Sequence, residues 1–288
     1  MKKVYIILPT YNDWKSLHKV LKILNLSLKK QKKEIYIIIV NDGSSSKFEQ
    51  TKKFKNFKRV SILNLKKNIG SQKAIYIGLK FVQSIIKNSD NNIISILDSD
   101  GEDDPRIVKN LIKITEKKKD FFIFASRRNR TENIILKFLN KLRLYFTWIL
   151  TGKFINYGNF SSFPSSILKK IVLKDNIYLA FSSGVINNYK KIFLYAVSKN
   201  KRFYGNSKVN FSFLFFHSIK IISLFLNIVF LRSFLISILL MIVSKNPIID
   251  VIIIILFLSF NSFLFLVNRF CKPKKKFNFY IKNILRVQ

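Results

Sequence analysis

Five of the fifteen acidic residues in this 288-residue chain fall within the run Asp98-Ser99-Asp100-Gly101-Glu102-Asp103-Asp104. In an extended segment Asp98 and Asp100 project to the same side, and a turn at Gly101 would bring Glu102 or Asp103 near them. Carboxylates clustered in this way repel one another unless a cation neutralises them. A hard divalent ion such as Mg²⁺, held by one or two carboxylates together with substrate phosphates, suits that donor set. The plain alternative is a solvated acidic turn capping a helix over residues 106–114. Calcium fits less well, because the twelve-residue EF-hand spacing is absent. Two other polar segments stand out, Pro9-Thr10-Tyr11-Asn12 and Asn41-Asp42-Gly43-Ser44, although the second is by itself an ordinary turn. No glycine-rich phosphate loop of Walker or Rossmann spacing is present, and His18 and His217 read as helix surface or core rather than as catalysts.

The elements around these segments give them a common location. Apolar strands are expected at residues 4–8, 35–40, 61–65 and 93–97, with helices at 14–28 and 74–86 between them. Strands alternating with helices predict an α/β fold with a mostly parallel sheet covered on both faces. In open sheets of this kind ligands bind beyond the carboxyl ends of the strands. Pro9-Thr10-Tyr11-Asn12, Asn41-Asp42-Gly43 and Asp98-Ser99-Asp100 all lie at such ends, so the three segments should converge on one rim.

The formal charge of +37 comes from 52 Lys and Arg against 15 Asp and Glu and implies attraction to polyanions, either nucleic acid or an anionic membrane face. The lysines are scattered rather than gathered into a recognisable binding element, which argues against a nucleic-acid partner. With 8 Gly and 5 Pro the collagen-like and low-complexity classes are excluded, and the single cysteine, Cys271, excludes a disulfide scaffold. Only five apolar residues precede Pro9, too few for the core of a signal peptide, so the N-terminal part is expected to stay in the cytoplasm.

From about residue 221 to 267 the chain is almost continuously apolar. Residues 248–267 are long enough to cross a bilayer. A charge at Arg232 would cost several kcal/mol in lipid, so residues 211–231 are expected to be interfacial and 232–270 to form two transmembrane helices joined at Lys245-Asn246-Pro247. A basic cytoplasmic tail, 271–288, would follow a cytoplasmic domain spanning 1–210. A hairpin of buried core helices is the alternative.

Leu8-Pro9-Thr10-Tyr11-Asn12, Val40-Asn41-Asp42-Gly43-Ser44, Asn68-Ile69-Gly70 with Ala74 and Gly78, and Leu97-Asp98-Ser99-Asp100 together resemble the family 2 glycosyltransferases of GT-A fold. Ser126-Arg127-Arg128-Asn129-Arg130, residues 137–145, Gly158-Asn159-Phe160 and the stretch from Arg202 to Lys208 are similar to the dolichyl- or polyprenyl-phosphate sugar synthase branch, which often ends in two membrane helices. The resemblance implies that Pro9, Tyr11 and Asp42 hold the nucleotide, with Asp42 accepting hydrogen bonds from the base. It implies that Asp98 and Asp100 bind Mg²⁺ or Mn²⁺, with Glu102 where relatives often carry a metal-facing Gln. Arg127, Arg130, Arg202 and Lys208 would face donor or acceptor phosphates, and Asp100, Arg127 and Arg130 would serve the chemistry. Asn41, Gly101 and Asp104 stand where Asp, Leu and Pro are frequent, so the metal loop is expected to be shaped differently.

The expected activity is transfer of a single sugar, with inversion, from a UDP- or GDP-linked donor to polyprenyl phosphate at the inner membrane. The Gln-x-x-Arg-Trp motif of processive relatives is missing. A same-fold transferase acting on a glycolipid or polysaccharide hydroxyl, and a membrane-tethered nucleic-acid-binding protein, are the rivals. Assembly into a homo-oligomer stays open.

Overall fold

A computed structural model of the chain describes residues 2–48, 53–86, 91–127, 134–173, 175–205, 211–273 and 276–288. Its regular elements are β1 (Lys3–Thr10), α1 (Trp14–Ser27), β2 (Glu34–Asn41), β3 (Arg59–Leu65), α2 (Ser71–Ile85), β4 (Ile93–Ile96), α3 (Val108–Lys117), β5 (Phe122–Arg127), α4 (Ile134–Thr151), β6 (Ser161–Pro164), α5 (Ser165–Val172), α6 (Phe181–Asn188), β7 (Ile192–Val197), α7 (Phe211–Ser223), α8 (Leu226–Ser244), α9 (Pro247–Phe270) and β8 (Ile281–Arg286). They form two compact units: Met1–Thr131 with Tyr157–Ser207 and Pro273–Gln288, and Glu132–Asn156 with Lys208–Lys272.

The first unit is built on an eight-stranded sheet in the order β7-β5-β6-β4-β1-β2-β3-β8. The pairs β1–β2, β1–β4, β2–β3 and β5–β7 are parallel, while β6 and β8 run antiparallel to their neighbours. Strands buried on both faces read as unbroken apolar runs, which is why 4–8 and 35–40 are legible as strands. Alternate side chains go to opposite layers. Tyr5, Ile7, Ile38 and Val40 pack with α2, α5 and α6, whereas Val4, Ile6, Leu8, Ile37 and Ile39 pack with α1 and α3. Gly78 of α2 lies so close to the sheet that a Cβ there would come within 2.7 Å of Ile7.

Within the stretch expected as a basic cytoplasmic tail, residues 281–286 return to this sheet as a strand. β8 pairs antiparallel with β3, and the Gln288 side chain accepts from the Phe54 amide at 2.8 Å and donates to the carbonyls of Phe54 and Phe57. The edge of β3 offers unpaired backbone groups, and β8 satisfies them while leaving most of its own side chains exposed. Such a strand has little hydrophobic signal.

The second unit contains α4 as well as the apolar helices, so residues 132–156 fall outside the domain that the sequence draws as 1–210. Helices α8 and α9 have mean hydropathies of 2.4 and 2.5 and the length to cross a membrane, with little of either buried within the protein. The turn between them is where the sequence puts it: Lys245 is left-handed (φ 48), and the Asn246 side chain caps α9 through the Ile248 amide at 3.0 Å. The helix expected to begin near Arg232 begins at Leu226.

Arg232 is accommodated within α8 because its guanidinium donates to the carbonyls of Ile149 (2.9 Å) and Trp148 (3.3 Å), in the last turn of α4. The Trp148 carbonyl also accepts the Gly152 amide at 2.7 Å, and the negative end of the α4 dipole favours a cation there. Gly152 follows in a left-handed conformation (φ 67), and a Cβ on it would meet the guanidinium at 2.8 Å. Replacing Arg232 with Met should therefore destabilise the helical unit by about 1–2 kcal/mol. A fall in the thermal midpoint in detergent micelles would register this, and an unchanged midpoint would contradict the capping role.

Candidate active site

The carboxyl ends of β1, β2 and β4 bring the three polar segments to one rim. The chain order reverses between β4 and β1, so the loop after β4 opens at a topological switch point. It is fastened to the end of β1 by the Ser99 hydroxyl, which donates to the Pro9 carbonyl at 2.8 Å. Beyond β1, Asn12 adopts a left-handed conformation (φ 50); its amide donates to Ser44 Oγ at 2.9 Å and its Oδ1 accepts from the Ser45 amide at 2.9 Å. These bonds tie the 10–13 turn to the 42–46 turn, with Tyr11 partly exposed beside them.

Asp42 is buried, and its two oxygens accept the Ile69 and Gly70 amides at 2.8 and 2.9 Å. The carboxylate therefore shapes the loop after β3 in addition to any contact with a nucleotide. Gly43 is required at the same turn: its φ is 71, and a Cβ would lie 2.6 Å from the Asn68 amide nitrogen. Burial pushes Asp42 up to about 6, against the opposing effect of the two amides and the Lys73 charge.

The acidic loop is turned by Gly101 (φ 84), whose Cα packs so closely on Phe203 that a Cβ would meet the ring at 2.3 Å. Asp98 accepts from Asn159 Nδ2 at 3.2 Å, Asn159 accepts from Gln72 at 3.1 Å, and Gln72 accepts from the Phe181 amide at 2.6 Å. Asp100 accepts the Glu102 amide at 3.0 Å and pairs with Arg202 Nη1 at 3.4 Å. The other amino group of Arg202 is bound by Asp13. Glu102 pairs with Lys199 at 2.8 Å, and the backbone of 200–203 is stitched to the loop by Asn200 N donating to Glu102 O and Phe203 N to Asp100 O. Burial raises the Asp100 carboxyl above its ordinary range; the Glu102 and Asp103 charges add to this, while the Glu102 amide and Arg202 oppose it.

Of the expected site residues, Pro9, Tyr11, Asp42, Asp98, Asp100 and Glu102 share this rim, and Arg202 joins them through Asp100. Arg127 ends β5, which runs parallel to β4 across β6, so its backbone lies on the same edge. Arg130 and Lys208 lie outside the described residues. Among the described residues no three His, Cys, Asp or Glu side chains form a metal-binding group. Glu102 is paired with Lys199 at 2.8 Å and Asp100 with Arg202 at the longer 3.4 Å, so Asp98 and Asp100 are the less tightly engaged of the three expected carboxylates. Two hard oxygen donors, in a loop whose charge is partly taken out of water, still fit a divalent ion that completes its shell with substrate phosphates. Asp13, Lys199 and Gln72 were not legible as site residues. Asp13 lies 189 positions from its partner, and Lys199 is one lysine among many.

This is the architecture of the GT-A fold. A crystal structure of Mycobacterium tuberculosis glucosyl-3-phosphoglycerate synthase with Mn²⁺, uridine diphosphate and glucosyl-3-phosphoglycerate superposes with a TM-score of 0.51 at 12% identity, covering 79% of this chain and 80% of that one. Another mycobacterial protein does so with a TM-score of 0.53 at 11% identity, over 79% and 74%. The family model for glycosyl transferase family 2 matches residues 5–172, and the chain belongs to that family. Undecaprenyl-phosphate 4-deoxy-4-formamido-L-arabinose transferases of Proteus mirabilis and Photorhabdus laumondii are 24% and 26% identical over 73% of this chain. The chain spans 64% of the length of each of these relatives.

The shift at Asp42 gives a pH signature. Its folded value lies above the ordinary 3.8, so its contribution to stability is full below about pH 4 and is lost as pH rises through about 6. A rise of that size corresponds to a loss on the order of 3 kcal/mol. Relative to Asp42→Asn, the wild-type thermal midpoint should fall between pH 4 and 6.5. Parallel curves for the two proteins would contradict the assignment.

Proposed function

We propose that this protein moves one sugar, with inversion, from a UDP- or GDP-linked donor to polyprenyl phosphate at a membrane surface. The observation that carries the reading is the pair Asp98 and Asp100 at the switch point of a family 2 transferase sheet, backed by Arg202. The acceptor class is supported by the relatives named above and by the two apolar helices.

Pro9, Tyr11 and Asp42 line the rim where a base and ribose would sit. Asp98 and Asp100 would hold Mg²⁺ or Mn²⁺, which when bound supplies neutralising charge to the diphosphate. A phosphate oxygen of the acceptor attacks the anomeric carbon, the bond from that carbon to the donor phosphate breaks, and nucleoside diphosphate leaves. Arg202, already within reach of Asp100, is placed to neutralise charge as it develops on the leaving group. Arg127, Arg130 and Lys208 are assigned to the donor and acceptor phosphates on the family resemblance.

A sugar hydroxyl normally needs a positioned base contributing about 10²–10⁴-fold. A phosphate monoester, with a second pKa of about 6, is already ionised near neutrality. Asp104 is occupied capping the helical turn at Pro105 through the Arg106 amide, and Glu102 is paired with Lys199. Asp103, the remaining carboxyl of the loop, is buried, and these placements favour the pre-ionised acceptor. Because β8 lies in the same sheet as β1, the segments before and after the α8–α9 hairpin belong to one folded unit. This is the arrangement required of two spans with both flanks on one side, assigned here to the cytoplasmic face of the inner membrane.

Asp98→Asn and Asp100→Asn should each lower transfer at least about a hundredfold, comparable to removing one strong transition-state stabiliser. The assay offers prenyl phosphate, prenyl alcohol and a simple glycolipid beside each UDP- and GDP-sugar. Sugar on the phosphate alone is the expected outcome, whereas transfer to a hydroxyl with prenyl phosphate untouched would overturn the acceptor assignment.

A further inference from the structure

Three asparagines on adjacent strands form a hydrogen-bonded ladder across the edge of the sheet. Asn41 ends β2 and is registered with Asn64 of β3, which is registered in turn with Asn283 of β8. Asn41 Nδ2 donates to Asn64 Oδ1 at 2.7 Å, and Asn64 Nδ2 donates to Asn283 Oδ1 at 2.7 Å. At the inner end, Asn41 Oδ1 accepts the Ser44 amide at 3.0 Å, and Ser44 Oγ accepts the Asn12 amide at 2.9 Å. The ladder thus runs from β8 to the two turns that carry Tyr11 and Asp42.

The β3–β8 register shifts between Asn64 and Leu65, since Asn64 faces Asn283 while Leu65 faces Ile281. A bulge of this kind re-aims side chains, and here it stands at the end of the ladder beside the candidate site. Asn41 is buried, while the Asn64–Asn283 bond lies at the exposed end of the ladder, so the buried Asn41 amide depends on Asn64 keeping its orientation. β8 is also held by its backbone pairing with β3 over residues 61–65, by the Lys66 amide on the Tyr280 carbonyl, and at its far end by Gln288 on Phe54 and Phe57. Its docking therefore does not depend on Asn283, whose side-chain oxygen is available for the ladder.

We infer that Asn283 is a positioning residue for the donor site, acting through Asn64 and Asn41 to set the 41–46 turn that receives the nucleotide. The inference rests on the donor reading above. It makes a strand that follows the two apolar helices part of the nucleotide-binding machinery.

Asn283→Leu removes the acceptor at nearly constant size, whereas Asn283→Asp keeps an oxygen facing Asn64 Nδ2. In the full-length protein in detergent, the Leu variant should bind UDP or GDP about tenfold more weakly, the worth of one hydrogen bond. Its KM for donor should rise in step with kcat unchanged, its backbone at 41–46 should exchange hydrogen faster, and its thermal midpoint should hold. The Asp variant should stay within about twofold of wild type. Wild-type affinity and exchange in the Leu variant would overturn the inference, and so would equal loss in both variants. Failure of the wild-type protein to bind either nucleotide would overturn the donor reading itself. In that event the ladder is judged by exchange alone, and unchanged protection at 41–46 in the Leu variant would sink it too.

Discussion

Negative charge gathered into one loop of a chain carrying +37 must be compensated wherever folding removes it from water. Here Arg202 spans Asp13 and Asp100, and Lys199 holds Glu102, all five residues being largely shielded. The rest of the site follows from that constraint. The backbone of 200–203 is stitched to the acidic loop, Phe203 closes on Gly101, and the loop adopts a turn that only glycine takes without strain. Under the proposed function, a divalent ion and a diphosphate would join this network, with Arg202 placed to share the balancing charge.

The same principle governs the apolar unit. A guanidinium within a 19-residue apolar helix looks prohibitive on sequence alone, whereas the helix runs unbroken from Leu226 through Arg232. The carbonyls at the end of α4 remove the difficulty, because a helix C-terminus supplies both hydrogen-bond acceptors and a favourable dipole. Segments far apart in sequence thus cancel a cost that neither reveals by itself.

How much was legible divides along this line. The parallel strands and the convergence of Pro9, Asp42 and Asp98 on one rim could be read, since buried strands are apolar runs and open sheets present ligands at their carboxyl ends. β6 and β8 could not. β6 is a short polar segment, Ser161–Pro164, and β8 is a lysine-bearing edge strand with exposed side chains. The acidic loop could be recognised but its ion pairs could not, because no spacing rule joins Asp13 to Arg202 or Glu102 to Lys199. Asp42 was assigned to a base, and its grip on the Ile69 and Gly70 amides is visible only once β2 and β3 lie side by side.

The central claim is that Asp98 and Asp100 hold a divalent ion together with the nucleotide diphosphate. Electron paramagnetic resonance of Mn²⁺ titrated with the full-length protein, alone and with UDP or GDP, tests it most directly. The expected result is weak binding alone and binding at least about tenfold tighter with one of the nucleotides, because phosphate oxygens complete the shell. That enhancement should vanish in the Asp98→Asn, Asp100→Asn double variant. Undiminished binding in the double variant, or no ternary complex with either nucleotide, would contradict the account.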